Sequence, residues 1–340
     1  MPQANDTYSF KGQEGQYDAH RPRWPEQFAL HSLFKAGIAR LDNKWVNTLT
    51  GGPPIVASIG AGSGSDAAVF KALGCKVYVV EPNAELLEKA KKNLAEIPQG
   101  EAIFLSGNAM DTGIPEKVDL VVAAQALHTM KGQFSDKYRP AGSEETNAEE
   151  VARAHWQALL PDDARPRVSV WYYNPDPHME ITRDLHDVLL QNCPKYAASK
   201  TPLLNAEYFA PNHFQPWMSA EDMRVSDILP VQTSQLARHE VGSWLGSYSF
   251  KPADPAEFAQ AVTALQEQWF DKHSKDGIIA LPYVGAVFQA PLRPDPFPMQ
   301  NINAPIALRS PLEYDAETGA SPSRPMLRPS TVLHKVHTNG

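Results

Sequence analysis

The residues best suited to chemistry are three glycines at alternate positions, GAGSG beginning at Gly60, and the carboxylate of Glu81. A glycine turn lets the backbone approach a ligand with no Cβ in the way. Glu81 ends a β-branched run, Val77–Val80. At the carboxyl end of a strand its carboxylate can accept both hydroxyls of a ribose. The spacing therefore predicts a site for a cofactor that contains adenosine.

The sequence also predicts the strands and the helix that hold these residues. An apolar run, Ile55–Ile59, opens into the glycine turn, and an Ala-rich helical stretch follows until Gly74. The run Val77–Val80 then returns as a second strand. Strand, tight turn, helix and parallel strand form the first unit of a doubly wound α/β sheet.

The residue at position 65 bears on the identity of the cofactor. A pyrophosphate-binding loop has GxGxxG, but Ser65 stands at the third glycine, and no Arg or Lys lies between Gly60 and Phe70. The GxGxG pattern resembles motif I of class I S-adenosylmethionine (SAM) methyltransferases, whose ligand carries no phosphate. The alternative is a glycine turn that serves only the packing of strand on helix.

The segment 16–28, QYDAHRPRWPEQF, carries a second resemblance. It is similar to the Y-x-x-x-R-P-x-Y-P signature of trans-aconitate methyltransferase and its relatives (methyltransferase type 11), with Trp24 in place of a tyrosine. The resemblance implies that this segment folds over the cofactor and walls the substrate site. Tyr17 and Arg21 would then close the pocket, with Tyr17 also a catalytic candidate and Arg21 able to pair with a carboxylate. Alternatively, aromatics pin a helix here and Arg21 is a surface residue.

After a strand expected at Ala102–Ser106, the sequence GNAMDTGIP resembles the family's G-D-A-x-x-L-P segment, which borders the adenine ring. Asn108 stands where the family usually has Asp, and its amide oxygen is expected to accept from the adenine N6 amine. Met110 would pack on the ring face or, alternatively, fill the core.

The turn after strand Val118–Ala123, AQALHTM, resembles the family's A-Q-A-L/A-H-W-F motif, with Thr129 and Met130 replacing Trp-Phe. His128 is therefore a candidate for orienting the substrate or accepting its proton. The alternative is a histidine that shapes the turn by bonding to the backbone. A carboxylate nucleophile needs no base, because it is already ionised at neutral pH.

The expected site residues form two sets. Those predicted to bind the cofactor are Tyr17, Arg21, Gly60, Ala61, Gly62, Gly64, Glu81, Pro82, Asn108, Ala109, Met110 and Gln125. Those predicted to line the substrate site are Trp24, His128, Trp171, Tyr172, Trp244 and Tyr248, although Trp244 and Tyr248 also fit an interior stripe. Alternation along the strand requires that at least one of Trp171 and Tyr172 faces the core. Ser58 departs from the many relatives with an acidic residue there, which helps to hold the methionine ammonium; Gln125 or a backbone carbonyl is the expected substitute.

Composition narrows the function further. The chain has 340 residues, a net charge of −8 and a pI near 5.8, which disfavours a nucleic-acid partner. Two cysteines have no metal-binding spacing, no apolar run approaches the ~20 residues of a membrane span, and the N-terminal segment lacks a signal-peptide core. We therefore expect a cytoplasmic monomer or homodimer with no metal and no membrane partner.

These observations together predict a Rossmann-like class I methyltransferase fold of seven strands, the last inserted antiparallel, with a helical lid. The domain is expected to span 1–290, with the lid insertion at about 174–275 and a proline-rich tail at 291–340. A helix is expected within Phe28–Thr48 and a strand at Met223–Val231. The last strand is expected at Ile278–Ala290, with a bulge or kink implied by Pro282 and Gly285.

The predicted reaction is SAM-dependent methylation of a small organic molecule, with O-methylation of a carboxylate or hydroxyl preferred. N- or C-methylation comes next. Two further alternatives are an enzyme that uses SAM without methyl transfer, for a cyclisation or rearrangement, and a SAM-binding protein without turnover.

Overall fold

A computed structural model describes residues 21–41, 44–47, 51–127, 148–163, 165–198, 227–248 and 251–292. The helices in these ranges are α1 (Glu26–Lys35), α2 (Ser65–Ala72), α3 (Ala84–Ala95), α4 (Ala148–Leu159), α5 (Glu180–Asn192), α6 (Pro194–Ala198), α7 (Val241–Gly246), α8 (Pro255–Ala264) and α9 (Asp271–His273). A π-helical turn, Leu265–Phe270, joins α8 to α9, and a 3-10 turn, Arg238–Glu240, precedes α7.

The strands form one hairpin and one large sheet. The hairpin pairs β1 (Ala39–Leu41) with β2 (Lys44–Val46). The large sheet contains β3 (Ile55–Ile59), β4 (Lys76–Val80), β5 (Glu101–Leu105), β6 (Leu120–Ala124), β7 (Val168–Pro175), β8 (Asp227–Ala237) and β9 (Ile278–Ala290).

The order of strands in the large sheet is β5-β4-β3-β6-β7-β9-β8. The pairs from β5 to β7 are parallel, whereas β9 pairs antiparallel with both β7 and β8. The chain turns from one side of the sheet to the other between β3 and β6, which is where doubly wound sheets bind ligands. The order confirms the predicted seven-stranded sheet with its last strand inserted antiparallel.

The central strands are buried on both faces, as a parallel sheet covered by helices requires. In β3, Val56 lies in a hydrophobic cluster with Phe28 of α1 and Phe70 of α2. The next residue, Ala57, lies in a second cluster on the other face, with Trp156 of α4. This alternation explains why the strand reads as a continuous apolar run in the sequence.

The helix expected within Phe28–Thr48 is only partly correct, because α1 ends at Lys35 and a hairpin follows. Gly37 has φ +75°. The N–H of Ile38 donates to the Leu33 carbonyl and that of Gly37 donates to the Phe34 carbonyl, both at 3.0 Å. These two bonds form a Schellman motif, which ends helices at a left-handed glycine.

Helices in the region predicted to be a lid belong to the main core. Leu185 and Leu189 of α5 lie in the same hydrophobic cluster as Phe28, together with Trp269 of the π-helical turn. Strand β8, also in this region, begins at Asp227 and is longer than the expected strand Met223–Val231. The division into a domain, a lid and a tail stays a prediction.

The kink expected near Pro282 and Gly285 of β9 corresponds to an irregularity in the pairing with β8. The register shifts between Val231 and Ser234, on the strand facing Pro282. Proline has no N–H to donate to a neighbouring strand, which explains the break in pairing at this point. None of the helices in the described part of the chain combines the length and apolarity needed to cross a bilayer.

Candidate active site

The glycine turn after β3 has three residues in the left-handed region. The φ angles are +68° for Gly60, +57° for Gly62 and +81° for Gly64. The N–H groups of Gly60 and Ala61 both donate to the carbonyl of Val80, at 2.9 and 3.1 Å, so the turn is tied to the end of β4. This backbone path is available to glycine at little cost and strained for other residues.

The three glycines do not serve one purpose. A Cβ at Gly64 would lie 2.6 Å from Leu94 Cδ1 and 3.1 Å from Ala90 Cβ, so Gly64 permits the packing of the turn on α3. A Cβ at Gly62 would meet nothing within 4 Å. Gly62 therefore faces open space, as a residue that a ligand approaches must, and packing alone does not explain it.

Glu81 lies where the sequence predicts it, immediately after β4. Its side chain is 7% exposed. Oε2 accepts from the Gly62 N–H at 2.8 Å and Oε1 accepts from the Asn83 N–H at 3.0 Å. Burial raises the pKa of Glu81, the two backbone bonds oppose that shift, and the charge of Asp66 adds to it. Each oxygen keeps a further lone pair that can accept from a ligand hydroxyl.

A second buried carboxylate lies below the turn, and sequence reasoning missed it. Asp66, in the first turn of α2, accepts a hydrogen bond of 2.6 Å from Ser58 Oγ. Burial raises its pKa to about 6, although the Ser58 bond and backbone bonds lower it. Ser58, which stands where many relatives have an acidic residue, is thus hydrogen-bonded to a carboxylate from position 66. The sequence signal for this group is an aspartate two residues after the third glycine.

The turn after β5 lies beside Glu81, whose N–H donates to the Leu105 carbonyl at 3.2 Å. In this turn Asn108 Oδ1 accepts from the N–H of Met110 at 2.8 Å and of Asp111 at 3.1 Å. The oxygen expected to accept from adenine is therefore already bonded to the backbone, which corrects that part of the prediction. Ala109 is buried, and Met110 packs against the core on the α4 face.

Helix α4 holds this turn in place through two side chains that sequence reasoning also missed. Trp156 Nε1 donates to the Ala109 carbonyl at 2.9 Å. His155 Nε2 accepts from the Thr112 N–H at 3.1 Å and lies 2.8 Å from Thr112 Oγ1. Burial lowers the pKa of His155, which favours the neutral imidazole that this bond needs.

Gln125 follows β6 at the carboxyl edge of the sheet. It has φ +53°, which is uncommon for a residue with a side chain and is held here by its neighbours. Its N–H donates to the Trp171 carbonyl at 2.8 Å, and Nε2 donates to the Tyr173 carbonyl at 2.7 Å. These bonds fix the residue against β7, and Oε1 forms no hydrogen bond with the described residues.

Four aromatic residues that we call the aromatic cluster lie near the carboxyl end of β7: Trp24, Tyr173, Tyr248 and Tyr283. The Trp24 and Tyr173 rings are 4.7 Å apart, and the Tyr173 and Tyr283 rings are 5.7 Å apart at a right angle. The hydroxyls of Tyr248 and Tyr283 are 3.2 Å apart. The role predicted for Trp24 and Tyr248, lining a substrate site, stays a prediction, and Tyr173 and Tyr283 do not appear among the predicted residues.

Arg21 approaches the aromatic cluster from the segment before α1. Its Nη2 donates to the Ser247 carbonyl at 3.3 Å. Burial raises the pKa of Tyr248 and Tyr283, whereas the positive charge of Arg21 lowers both. Arg21 is therefore close enough to act on these hydroxyls electrostatically. The structure brings it to the aromatic cluster and not to the glycine turn.

Two residues predicted to line the substrate site lie in the core, which corrects those predictions. Trp171 is fully buried, and its Nε1 donates to Ser169 Oγ at 2.9 Å and Ser32 Oγ at 3.1 Å. Tyr172 is 2% exposed and belongs to the cluster on the opposite face. Alternation along β7 places Tyr173 on the same face as Trp171, nearer the end of the strand.

Trp244 has a mixed character. Its ring is 1% exposed and stacks on Trp269 with 5.7 Å between centroids, so the body of the side chain is part of the core. Its Nε1, however, is buried and meets no partner within hydrogen-bond distance in the part of the chain that the structure describes.

Tyr17 and His128 lie outside the described residues, as does the predicted tail from residue 293, and these predictions remain. Within the described ranges no group of three or more His, Cys, Asp or Glu side chains could hold a metal ion.

A family model described as a methyltransferase domain matches residues 57–139, from the middle of β3 to beyond the end of β6. No curated protein matches the sequence.

Solved structures with similar folds include a putative type II methyltransferase from Anaeromyxobacter dehalogenans, 17% identical over 80% of this chain and 97% of that one, with a TM-score of 0.47. Another is a SAM-dependent methyltransferase from Thiobacillus denitrificans in complex with S-adenosyl-L-homocysteine. It is 15% identical over 83% of this chain and 96% of that one, with a TM-score of 0.40.

The matched residues 57–139 contain the open glycine turn and the buried Glu81. On that match and the order of the seven strands, the protein is a SAM-dependent methyltransferase with a Rossmann-like sheet. S-Adenosylmethionine is accordingly its cofactor.

Proposed function

We propose that the protein transfers a methyl group from SAM to a carboxylate or hydroxyl oxygen of a small organic molecule. The observation that carries the proposal is the contact of Glu81 Oε2 with the Gly62 N–H, because it joins a buried acceptor to a glycine of the turn that faces open space. The aromatic cluster, at the same edge of the sheet, supports a compact substrate.

The side chains around the turn fit SAM in type and charge. Glu81 would accept from the ribose hydroxyls, and the turn at Asn108–Met110 would border the adenine. Buried carboxylates favour a ligand that carries positive charge, and Glu81 and Asp66 are two such groups within reach of each other's field. Gln125 Oε1 adds a neutral acceptor for the methionine ammonium. SAM supplies a sulfonium-bound methyl group that is already strongly electrophilic.

On the substrate side the protein's tasks are to orient a nucleophilic oxygen and to exclude water. Rings of the aromatic cluster offer apolar walls, and the hydroxyls of Tyr248 and Tyr283 offer hydrogen bonds. Arg21 would pair with a carboxylate of the substrate. Such a carboxylate is ionised at neutral pH and requires no base. A hydroxyl substrate would need one, and His128 and Tyr17 are the candidates.

The test is turnover with SAM labelled in its methyl group and a panel of small carboxylic acids and phenols. We expect release of S-adenosylhomocysteine together with a labelled methyl ester or ether. Tyr283→Phe is expected to lose much of this activity while keeping its affinity for S-adenosylhomocysteine. Label found on nitrogen or carbon would contradict O-methylation, and product formed without S-adenosylhomocysteine would contradict methyl transfer itself.

A further inference from the structure

The turn after β5 fixes the amide of Asn108 in one orientation. Its Oδ1 faces two backbone N–H groups, of Met110 at 2.8 Å and of Asp111 at 3.1 Å. A backbone N–H can only donate, so the side-chain atom that meets both must be the oxygen. The amide nitrogen, Nδ2, therefore faces away from the turn.

The turn is too tight for this amide to rotate freely. The Asn108 N–H donates to the Asp111 carbonyl at 2.9 Å. A Cβ at Gly107 would lie 2.8 Å from the carbonyl oxygens of Asp111 and Thr112, so the chain closes on itself here. Rotating the amide by half a turn would break two hydrogen bonds and bring donors against donors. Nδ2 itself has no hydrogen bond with the described residues, and the side chain is half-buried.

This turn adjoins the proposed ribose site. The Glu81 N–H bonds to Leu105, two residues before Gly107. Strand β5 lies on one side of β4, and β3 and β6 lie on the other side. The methionine portion of the cofactor would extend toward β3 and β6. A ribose held by Glu81 therefore leaves the β5 side of the edge for the base. Asn108 is the second polar residue of that turn, after Ser106.

We propose that Asn108 recognises adenine as a hydrogen-bond donor, through Nδ2 to a ring nitrogen, and leaves the exocyclic N6 amine unread. The inference rests on the cofactor site proposed above. An aspartate at position 108 would keep the same turn with one oxygen and present its other oxygen, an acceptor, to the amine. The single change from Asp to Asn thus inverts the polarity of the group that position 108 presents to the base.

The experiment compares two ligands by titration calorimetry. One is S-adenosylhomocysteine, and the other is its analogue with unsubstituted purine as the base, which keeps the ring nitrogens and lacks the amine. For the wild-type protein we expect dissociation constants within about threefold of each other. For Asn108→Asp we expect a preference for adenine of about tenfold or more, the effect of one hydrogen bond to a charged acceptor.

A matched control places the same new charge nearby without facing the base. Asn83 Oδ1 also accepts from two backbone N–H groups, those of Glu85 at 2.9 Å and Leu86 at 3.1 Å. Asn83→Asp is therefore expected to keep the wild-type ratio of the two dissociation constants, whatever its effect on each.

The inference is overturned if wild-type protein already prefers adenine over purine by tenfold or more, or if Asn108→Asp keeps the wild-type ratio. Should Asn108→Asp fail to fold, the wild-type ratio decides alone. If S-adenosylhomocysteine does not bind to the wild-type protein, the proposed cofactor site itself is wrong, a result distinct from either ratio.

Discussion

The cofactor side and the substrate side of the candidate site are built in different ways. The glycine turn, Glu81 and Asp66 lie within about twenty residues and meet through one strand–helix–strand unit. The aromatic cluster gathers Trp24, Tyr173, Tyr248 and Tyr283 from four separate parts of the chain. A local unit has a spacing that can be read in the sequence, whereas a site assembled across the sheet does not.

The two sides also differ in how packing and binding are divided among residues. On the cofactor side one glycine serves packing, Gly64, and another faces open space, Gly62. On the substrate side Trp171 and Tyr173 of β7 lie in the same buried cluster, but only Tyr173 contacts Tyr283, whereas the indole N–H of Trp171 is bonded to Ser32 and Ser169. The comparison predicts that stability and binding can be lost separately on each side.

The largest expected effect is the loss of stability when Gly64 is replaced. In Gly64→Ala the new methyl group meets Leu94 and Ala90 at a residue with φ +81°, so strain and overpacking add. We expect the free energy of unfolding to fall by roughly 2–4 kcal/mol. Gly62→Ala, which meets no atom, is expected to lose only about 1 kcal/mol. Urea denaturation measures both.

Gly113→Ala is the matched control for backbone strain, since Gly113 has φ +68° and nothing within 4 Å of a Cβ. Gly62→Ala and Gly113→Ala are expected to destabilise alike, but only Gly62→Ala should weaken binding of S-adenosylhomocysteine. Equal binding by both variants would mean that Gly62 does not face the ligand.

The next effect concerns Asp66, whose pKa is about 6 in the folded protein against 3.8 for an unburied carboxyl. A raised pKa means that the folded state binds the proton more tightly. The favourable contribution of Asp66 protonation to the free energy of unfolding is therefore complete below pH 3.8, and it is lost as the pH rises through about 6. The difference amounts to about 3 kcal/mol as an upper value.

Asp66→Asn removes this titration, so we expect the variant to gain stability relative to wild type as the pH rises from 4 to 8. Urea denaturation across that range measures the gain. Parallel pH profiles for the two proteins would contradict this, because they would show that the pKa of Asp66 is not raised in the folded protein.

A smaller effect separates residues within the substrate side. Tyr283→Phe removes one hydroxyl of the 3.2 Å contact with Tyr248 and keeps the ring. We expect kcat/KM to fall about tenfold once a substrate is known, the effect of one hydrogen bond, with little change in melting temperature. Trp171→Phe, by contrast, leaves the hydroxyls of Ser32 and Ser169 without their indole donor and opens space in the core. It should lower the melting temperature and leave KM unchanged.

The strands of the sheet can be predicted from the sequence because each has a local signal. β3, α2 and β4 follow from an apolar run, a glycine turn and a β-branched run, and the order of strands follows from the family that these residues resemble. The sequence was insufficient where the outcome depends on tertiary contacts. Alternation along β7 says that Trp171 and Tyr173 share a face, but not which of them is covered by α1 and α2.

Two features that were not predicted, the end of α1 and the carboxylate of Asp66, have a local signal in the sequence. Gly37, two residues beyond the end of α1, marks the end of that helix through its left-handed conformation. Asp66 follows the glycine turn closely enough to reach back to Ser58. Asn108 is different, because only the backbone geometry shows that its oxygen is engaged and that its nitrogen is the group left for a ligand.

We propose above that Glu81 holds the cofactor's ribose. Titration of S-adenosylhomocysteine into the Glu81→Gln variant tests this contact. Glutamine keeps the size of the side chain, and Glu88→Gln, on the exposed face of α3, controls for the lost charge. We predict that Glu81→Gln loses at least about thirtyfold in affinity, as expected for a charged acceptor of two hydroxyls, and that Glu88→Gln binds like wild type. Equal affinity of all three proteins would contradict the claim.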